Sequence, residues 1–439
     1  MKKILILTSE YMPNPSANGL ISKYIIDELK NRNFSVSCVS VKRENEDFHE
    51  IIDNVNVYRI EPSLYARILY KKSKLKYPVL KKTIFPVIHL LRKLKLLLLI
   101  FNFPNFDLIQ ANKVYKKLKF LHKKEKYDII IGVFKPYWNI AALKKFKKKH
   151  PEVMCIGYYL DLINSMQKPY IMPQKFYNWL CYKEDSYTFK LLDLILMAKG
   201  GKILYTDSIY NSVRQKIKYV DFPTFITEFN SYKSINSKND KRKIILTYAG
   251  TLDIKYRNPE ILLNILDKAS KIVGKIEFNI YGKNNCKELF DKYNSNIYLQ
   301  INDYGFSSHD TVIKSMYESD ILINISNKIQ HAVPSKIFEI FSIGKPIINI
   351  VFDKNDITTQ YFKKYPSVLN IKAWEQIDKQ IKNVINFINN EKGKQYDVNK
   401  IKEKYIENTP EYVVNIIEKS IEKWEKENNV NNKILNKIV

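Results

Sequence analysis

The sequence predicts an α/β protein made of two doubly wound domains. Two observations lead there. Short apolar runs of strand length alternate with helix-length amphipathic stretches from Lys2 to Thr227, and the alternation restarts at Ile244 after a polar stretch, YKSINSKNDKRK, from Tyr232 to Lys243. A chain of 439 residues is also long enough to bury two cores of that kind. The expected division is 1–231 for the first domain, 232–243 for a linker, 244–400 for the second domain, and 401–439 for a largely helical tail.

Lys2 to Thr8 is the first expected strand. Its apolar core is too short for a secretory signal, and no small-residue cleavage site comes after it. The loop from Glu10 to Asn18 holds two prolines and ends at Gly19, and Ile21, Tyr24, Ile25, Ile26 and Leu29 then recur at helical spacing. Gly19 would let the backbone approach a ligand near the helix start. Phe34–Val41 and Val55–Ile60 are the next strands. Phe85 to Phe101, FPVIHLLRKLKLLLLIF, reads as an amphipathic helix for a membrane interface, or as a core helix with one wet edge. Tyr127–Val133, Val153–Tyr159 and Leu191–Met197 are further strands. Asp161 lies just beyond the carboxyl end of one of them, where it can bind an acceptor, move a proton, or simply cap a helix.

In the second half, Ile244–Ala249 is a strand closed by Gly250-Thr251-Leu252, and Asn258 and Pro259 open a helix as cap and first residue. The next strands are Ile276–Tyr281, closed by Gly282, and Ile297–Ile301, with Tyr304-Gly305-Phe306 after it. Asp310–Glu318 is a short helix and Asp320–Ile325 a strand. His331 to Ile350, HAVPSKIFEIFSIGKPIINI, then carries the densest signal. Ser335 is placed to cap a helix whose apolar positions are Ile337, Phe338, Ile340 and Phe341; Gly344 stops it and Pro346 bars its continuation. The positive end of that helix, with Lys336, suits a phosphate, and Glu339 one turn in suits ribose hydroxyls. A plain αβ unit with surface Lys and Glu would read the same way locally.

This element resembles the donor-binding segment of GT-B glycosyltransferases, in the large group-1 (family 4-like) set of retaining enzymes that build bacterial cell-surface polysaccharides. Glu339 matches the second glutamate of the family pattern, and Gly344-Lys345-Pro346 matches the Gly-x-Pro at its end. The first glutamate's position, eight residues earlier, is His331 here, and Pro334-Ser335-Lys336 matches a subgroup. Ala249-Gly250-Thr251-Leu252 resembles the first loop of the family's second domain. The resemblance implies two Rossmann-like domains facing across a cleft, with the helices of 401–439 packing back on the first domain. It implies donor contacts at Gly19, Gly250, Thr251, Lys255, Arg257, Gly282, Gly305, Phe306, Ser335, Lys336, Ile337 and Glu339, with Asp161 and His331 as catalytic candidates. The backbone N–H groups from Ser335 to Ile337 would help hold the diphosphate.

Composition bounds the chemistry. Four widely spaced cysteines form no CxxC pair, so neither a zinc site nor a disulfide framework is indicated. No D-x-D, HExxH, nucleophile elbow or Walker loop occurs, which argues against a metal-held diphosphate, zinc peptidases, α/β-hydrolases and P-loop enzymes. No metal and no cofactor are expected beyond a nucleotide-sugar co-substrate. Residues 71–150 hold 22 lysines and arginines against three acids, a net +19 of the chain's +28. Such a concentration is either a solvated face or a surface for an anionic partner. No apolar run approaches the ~20 residues that cross a bilayer. The expectation is a cytoplasmic enzyme, peripheral on the inner face of the cell membrane, that moves a sugar from a nucleotide donor to a lipid-linked or glycan acceptor. A nucleotide-sugar 2-epimerase and an anionic-surface or nucleic-acid binding protein are the alternatives, although no nucleic-acid module interrupts the α/β order.

Overall fold

The computed structural model describes residues 1–13, 15–64, 67, 90, 103–104, 107–166, 168–169, 172–199, 210–227, 243–327 and 334–438, and of 430–438 the backbone alone. The expected amphipathic helix at 85–101 (residue 90 apart), the linker at 232–242 and His331 therefore lie outside the described residues. The chain divides into two compact units, 1–222 with 410–439, and 223–409.

The first unit is built on an eight-stranded sheet in the order β3-β4-β2-β1-β5-β6-β7-β8. Its strands are β1 (Lys3–Leu7), β2 (Ser35–Val41), β3 (His49–Ile52), β4 (Val55–Ile60), β5 (Ile129–Phe134), β6 (Met154–Tyr159), β7 (Leu194–Ala198) and β8 (Ile217–Val220). All neighbours are parallel except β3 and β4, a hairpin turning at Asp53 and Asn54, both at positive φ. Its helices are α1 (Ala17–Asn31), α2 (Leu108–Glu125), α3 (Tyr137–Lys147) and α4 (Gln174–Leu191). Alternate residues of β1 divide the core: Leu5 and Leu7 pack with α2, α3 and α4, whereas Ile4 and Ile6 pack with α1.

The second unit holds a six-stranded parallel sheet in the order β11-β10-β9-β12-β13-β14. The strands are β9 (Lys243–Ala249), β10 (Lys275–Tyr281), β11 (Leu299–Gly305), β12 (Ile321–Ile325), β13 (Ile347–Val351) and β14 (Val368–Lys372). The helices used below are α5 (Glu260–Val273), α6 (His309–Glu318), α7 (Lys336–Ile343), α8 (Ile377–Glu391) and α9 (Val398–Lys404); the closing α10 (Pro410–Ile438) belongs to the first unit. Numbered within the unit, this is the 3-2-1-4-5-6 order of doubly wound nucleotide-binding folds, and β4-β2-β1-β5-β6-β7 repeats it in the first unit. Both expected doubly wound domains are present.

One device recurs. Asp128, Asp193 and Asp320 each stand just before a strand, and each carboxylate accepts from a backbone N–H within the first three residues of a neighbouring strand: Lys3 at 2.8 Å, Cys155 at 2.7 Å and Ile245 at 2.8 Å. The aspartates' own N–H groups donate back to the same residues' carbonyls. Strand starts are pinned in register by these reciprocal pairs.

Several boundaries differ from the sequence reading. α2, β3, α4, β8 and β14 are among the elements that the sequence reading did not assign. Leu191 ends α4 instead of beginning a strand, because α4 carries aromatic residues on its exposed side and its apolar period is blurred. Lys243, placed in the linker by its polarity, begins β9.

Candidate functional site

In a 3-2-1-4-5-6 sheet the strand order reverses beside the first strand, and ligands bind beyond the carboxyl ends there. In the second unit that point is between β9 and β12. Gly250, Gly282 and Gly305 end or succeed three adjacent strands, β9, β10 and β11. Gly250 N donates to the Tyr281 carbonyl at 2.8 Å, and Gly282 N to the Gly305 carbonyl at 2.7 Å. Gly282 has φ +129°, and a Cβ there would stand 2.3 Å from the Gly250 carbonyl oxygen. Only glycine at 282 allows the loop after β10 to lie this close to Gly250. Tyr281 stacks on Tyr304 at 4.8 Å, and Phe306 is 87% exposed.

Helix α7 begins at the carboxyl edge of β12 and is buried along its length from Ile337 to Ile343. Phe341 packs between Tyr405, Tyr365 and Phe362, with ring centroids 4.8 to 5.1 Å apart, so the helix is held on a rigid aromatic cluster. Gly344 ends it in the left-handed region at φ +76°. Ser335 does not cap it. A capping serine needs extended backbone, but Ser335 is already helical at φ −57° and ψ −27°, and its side chain makes no cap bond. Ile337 gives its N–H to the Pro334 carbonyl at 3.3 Å and buries its side chain, so that N–H is committed to the chain.

Lys336 and Glu339 stand together. The Lys336 ammonium lies 2.7 Å from Glu339 Oε2, and His309 Nε2, at the start of α6, lies 3.3 Å from the same oxygen. Glu339 is buried and Lys336 about one-third exposed. Burial alone would raise the Glu339 pKa, but Lys336 and His309 outweigh it and hold the carboxyl at about 2. Sequence reasoning gave Lys336 and Glu339 separate tasks and missed His309, 30 positions away. An ammonium has three donors; one here is spent on Glu339.

Arg257 Nε donates to Asn327 Oδ1 at 2.6 Å, which ties the loop after β9 to the loop after β12 across the reversal point. Thr251 and Lys255 are exposed on the same loop, with Lys255 turned over the Tyr256 ring at 5.2 Å. Asn258 accepts from the Glu260 N–H at 2.9 Å, but Pro259, not Asn258, holds the cap position, and α5 begins at Glu260, one residue later than predicted. A cavity of about 460 Å³ opens nearby, lined by Asn258, Glu260, Ile261, Phe352, Asp353 and Ala373, none of them an expected donor contact.

In the first unit the reversal point is between β1 and β5. Asn18 Nδ2 donates to the Lys135 carbonyl at 3.0 Å, and the Lys135 ammonium is 3.6 Å from Asp161 Oδ2. Asp161 is not a helix cap, since the turn after it begins at Leu162 without a side-chain bond. It is a half-exposed carboxylate beside a lysine at the ligand-binding edge. Gly19 falls in the first turn of α1. A Cβ there would meet the Glu10 carbonyl oxygen at 1.8 Å, so the chain's own loop, and no ligand, requires this glycine. Metal-ligating atoms of His122, His150 and Glu152 lie within 4.8 Å of one another at the opposite, amino edge of the sheet.

Two doubly wound sheets, each with polar side chains gathered where its strand order reverses, make a two-unit fold of the GT-B type, and solved structures share that fold. Over 98% of both chains, at 8% identity and a TM-score of 0.60, the protein is similar to the α,α-trehalose 6-phosphate synthase of Burkholderia multivorans. It is similar to a glycosyltransferase of Rickettsia africae over 97% of this chain and 98% of that one, with 12% identity and a TM-score of 0.55. Anabaena HepE, solved in complex with UDP and glucose, is similar over 97% and 100%, with 12% identity and a TM-score of 0.51. No protein-family model matches the chain, and no curated protein sequence matches it.

Proposed function

We propose that the protein is a retaining, metal-independent glycosyltransferase. It moves a sugar from a nucleotide donor to a hydroxyl of a lipid-linked or polysaccharide acceptor in bacterial surface-glycan synthesis, at the cytoplasmic face of the membrane. The observation that carries this reading is the Lys336–Glu339–His309 cluster at the start of a buried helix, beside the close-packed edge of Gly250, Gly282 and Gly305. The complex of HepE with UDP and glucose supports the choice of ligand for this fold.

The second unit would hold the donor. The positive end of α7, the Lys336 ammonium and the Arg257 guanidinium would neutralise the departing diphosphate. Glu339, ionised throughout the neutral range, would accept from a donor hydroxyl. Tyr281 and Tyr304 would face the base. In the transfer the acceptor oxygen bonds to the anomeric carbon, the carbon–phosphate-oxygen bond breaks, and the acceptor proton passes to the leaving phosphate. Asp161 with Lys135 is the acceptor-side candidate, and His331 keeps its place as a candidate from the sequence resemblance alone. The 2-epimerase alternative gains a histidine beside a carboxylate, but a carboxyl held at about 2 is a poor general base at neutral pH.

Thermal shift against UDP-, GDP- and ADP-sugars tests the donor assignment. One of them should raise the melting temperature. Lys336→Ala and Glu339→Ala should weaken that ligand about 10- to 100-fold, as expected for lost charge-assisted bonds. Diphosphate release should require an acceptor. Unchanged turnover in both variants removes the donor site, and product formed without acceptor favours the epimerase.

A further inference from the structure

Helix α4 buries Tyr177, Cys181, Asp185, Thr188 and Phe189, yet leaves Phe176, Trp179 and Tyr187 between 43% and 50% exposed. With Lys183, these residues form one stripe along the helix at spacings of three, four and four. Isolated exposed apolar residues are ordinary, whereas a stripe of three large rings is not. The ring faces are partly taken: Phe176 and Trp179 stack on each other at 5.6 Å, Lys183 lies 5.0 Å above the Trp179 ring, and Lys144 and Lys148 lie 5.0 and 5.2 Å from the Tyr187 ring. The pattern continues across the layer, in which α2 packs on α3 and α3 on α4. On α2, Phe120 is 62% exposed with Lys117 at 5.9 Å. The three helices carry twelve lysines and three acids, and two of those acids, Glu184 and Asp185, are turned inward.

We infer that this helical layer, centred on the α4 stripe, is a docking surface for an anionic lipid bilayer. Trp and Tyr rings settle at the headgroup level, lysine stems reach past them to the phosphates, and each cation adds attraction to an anionic leaflet. Nucleic acid and sugars stack on ring faces, which here are shared among neighbours. The surface extends beyond the basic stretch at 71–150 to a helix that charge alone did not mark. It deepens the proposed function, and rests on it, by naming the source of the acceptor. The loop from the carboxyl end of β6, bearing Asp161, leads into the Phe176–Trp179 end of α4, so a bilayer seated there presents lipid-borne hydroxyls at that edge.

The test is co-sedimentation of the full chain with phosphatidylcholine vesicles, with and without phosphatidylglycerol. The wild type should bind the anionic vesicles and leave the neutral ones. Phe176→Ser with Trp179→Ser should weaken binding about tenfold or more, and Lys148→Glu and Lys183→Glu each at least about fivefold. All variants should keep the wild-type thermal shift with sugar nucleotides, which shows that they fold. If no sugar nucleotide shifts the wild type while the vesicle pattern holds, the docking surface stands and the donor reading fails. Three results overturn the inference: variants that sediment as the wild type does, a wild type indifferent to phosphatidylglycerol, or a dimer that the Phe176/Trp179 variant converts to monomer.

Discussion

Glu339 shows how much one side chain depends on two partners. Its carboxyl, at about 2 in the folded chain and near 4.5 when unfolded, favours the folded state wherever it is ionised. The stability it contributes is fully present above about pH 4.5 and is lost as pH falls through 2. Its size is about 3 kcal/mol. Acid unfolding followed by circular dichroism should therefore show a steeper loss between those pH values in the wild type than in Glu339→Gln. An equal slope in the two removes the ion pair with Lys336 as its cause. At this scale the sequence revealed residue types and hid partnerships. Glu339 and Lys336 were legible from a helix start, but their mutual pairing was not. His309 reaches Glu339 only because α6 and α7 begin at the same sheet edge. Ser335 looked like a cap, yet capping depends on a dihedral angle that residue identity does not state.

At the scale of elements, the parallel strands of the second unit are held by more than their ladders. Asn324, Asn349 and Asn370 sit directly opposite one another on β12, β13 and β14. Asn324 Nδ2 donates to Asn349 Oδ1 at 2.7 Å, and Asn349 Nδ2 to Asn370 Oδ1 at 2.8 Å. Asn349 is fully buried. Replacing it by leucine strands a donor on one side and an acceptor on the other, at about 1–3 kcal/mol each. Urea unfolding of Asn349→Leu should show a loss of about 2–6 kcal/mol with little change in slope. A loss below about 1 kcal/mol would mean that the ladder contributes little. Strands such as ILINI and IINIV were easy to find because they are short apolar runs. The register that aligns their asparagines was not, since it depends on strand order. β3 and α4 escaped for a related reason. Each exposes much of one face, so neither shows a clean apolar period, although Asp53-Asn54 is a hairpin-turn pair that could have marked the first.

At the scale of the whole chain, the two units differ in how the sequence closes them. The second is one continuous stretch, 223–409. The first is completed by α10, whose Val413, Val414, Ile417 and Ile421 are buried in the core it shares with α1 and β1. Arg32 fastens the helix further, to Glu418 at 2.7 Å and Asn415 at 2.8 Å. Four buried aliphatic side chains are worth about 6–12 kcal/mol, comparable to the entire stability of an ordinary domain. The first unit is therefore expected to need α10 to complete its core. A chain ending at Thr409 should lose cooperative unfolding of the first unit, while residues 223–409 expressed alone should keep a cooperative transition. If the proposed donor site is right, that fragment should also be stabilised by the same sugar nucleotide that shifts the full chain. Calorimetry separates the outcomes, because full retention of both transitions in the truncated chain would show that α10 covers a core already stable without it. The resemblance anticipated a return of the helices of 401–439, but only the last, from Pro410, joins the first unit, and 401–409 stay with the second. The energetic reason for it is the apolar face of α10, legible in the sequence from Val413 to Ile421 as a helical stripe with no partner nearby in the chain.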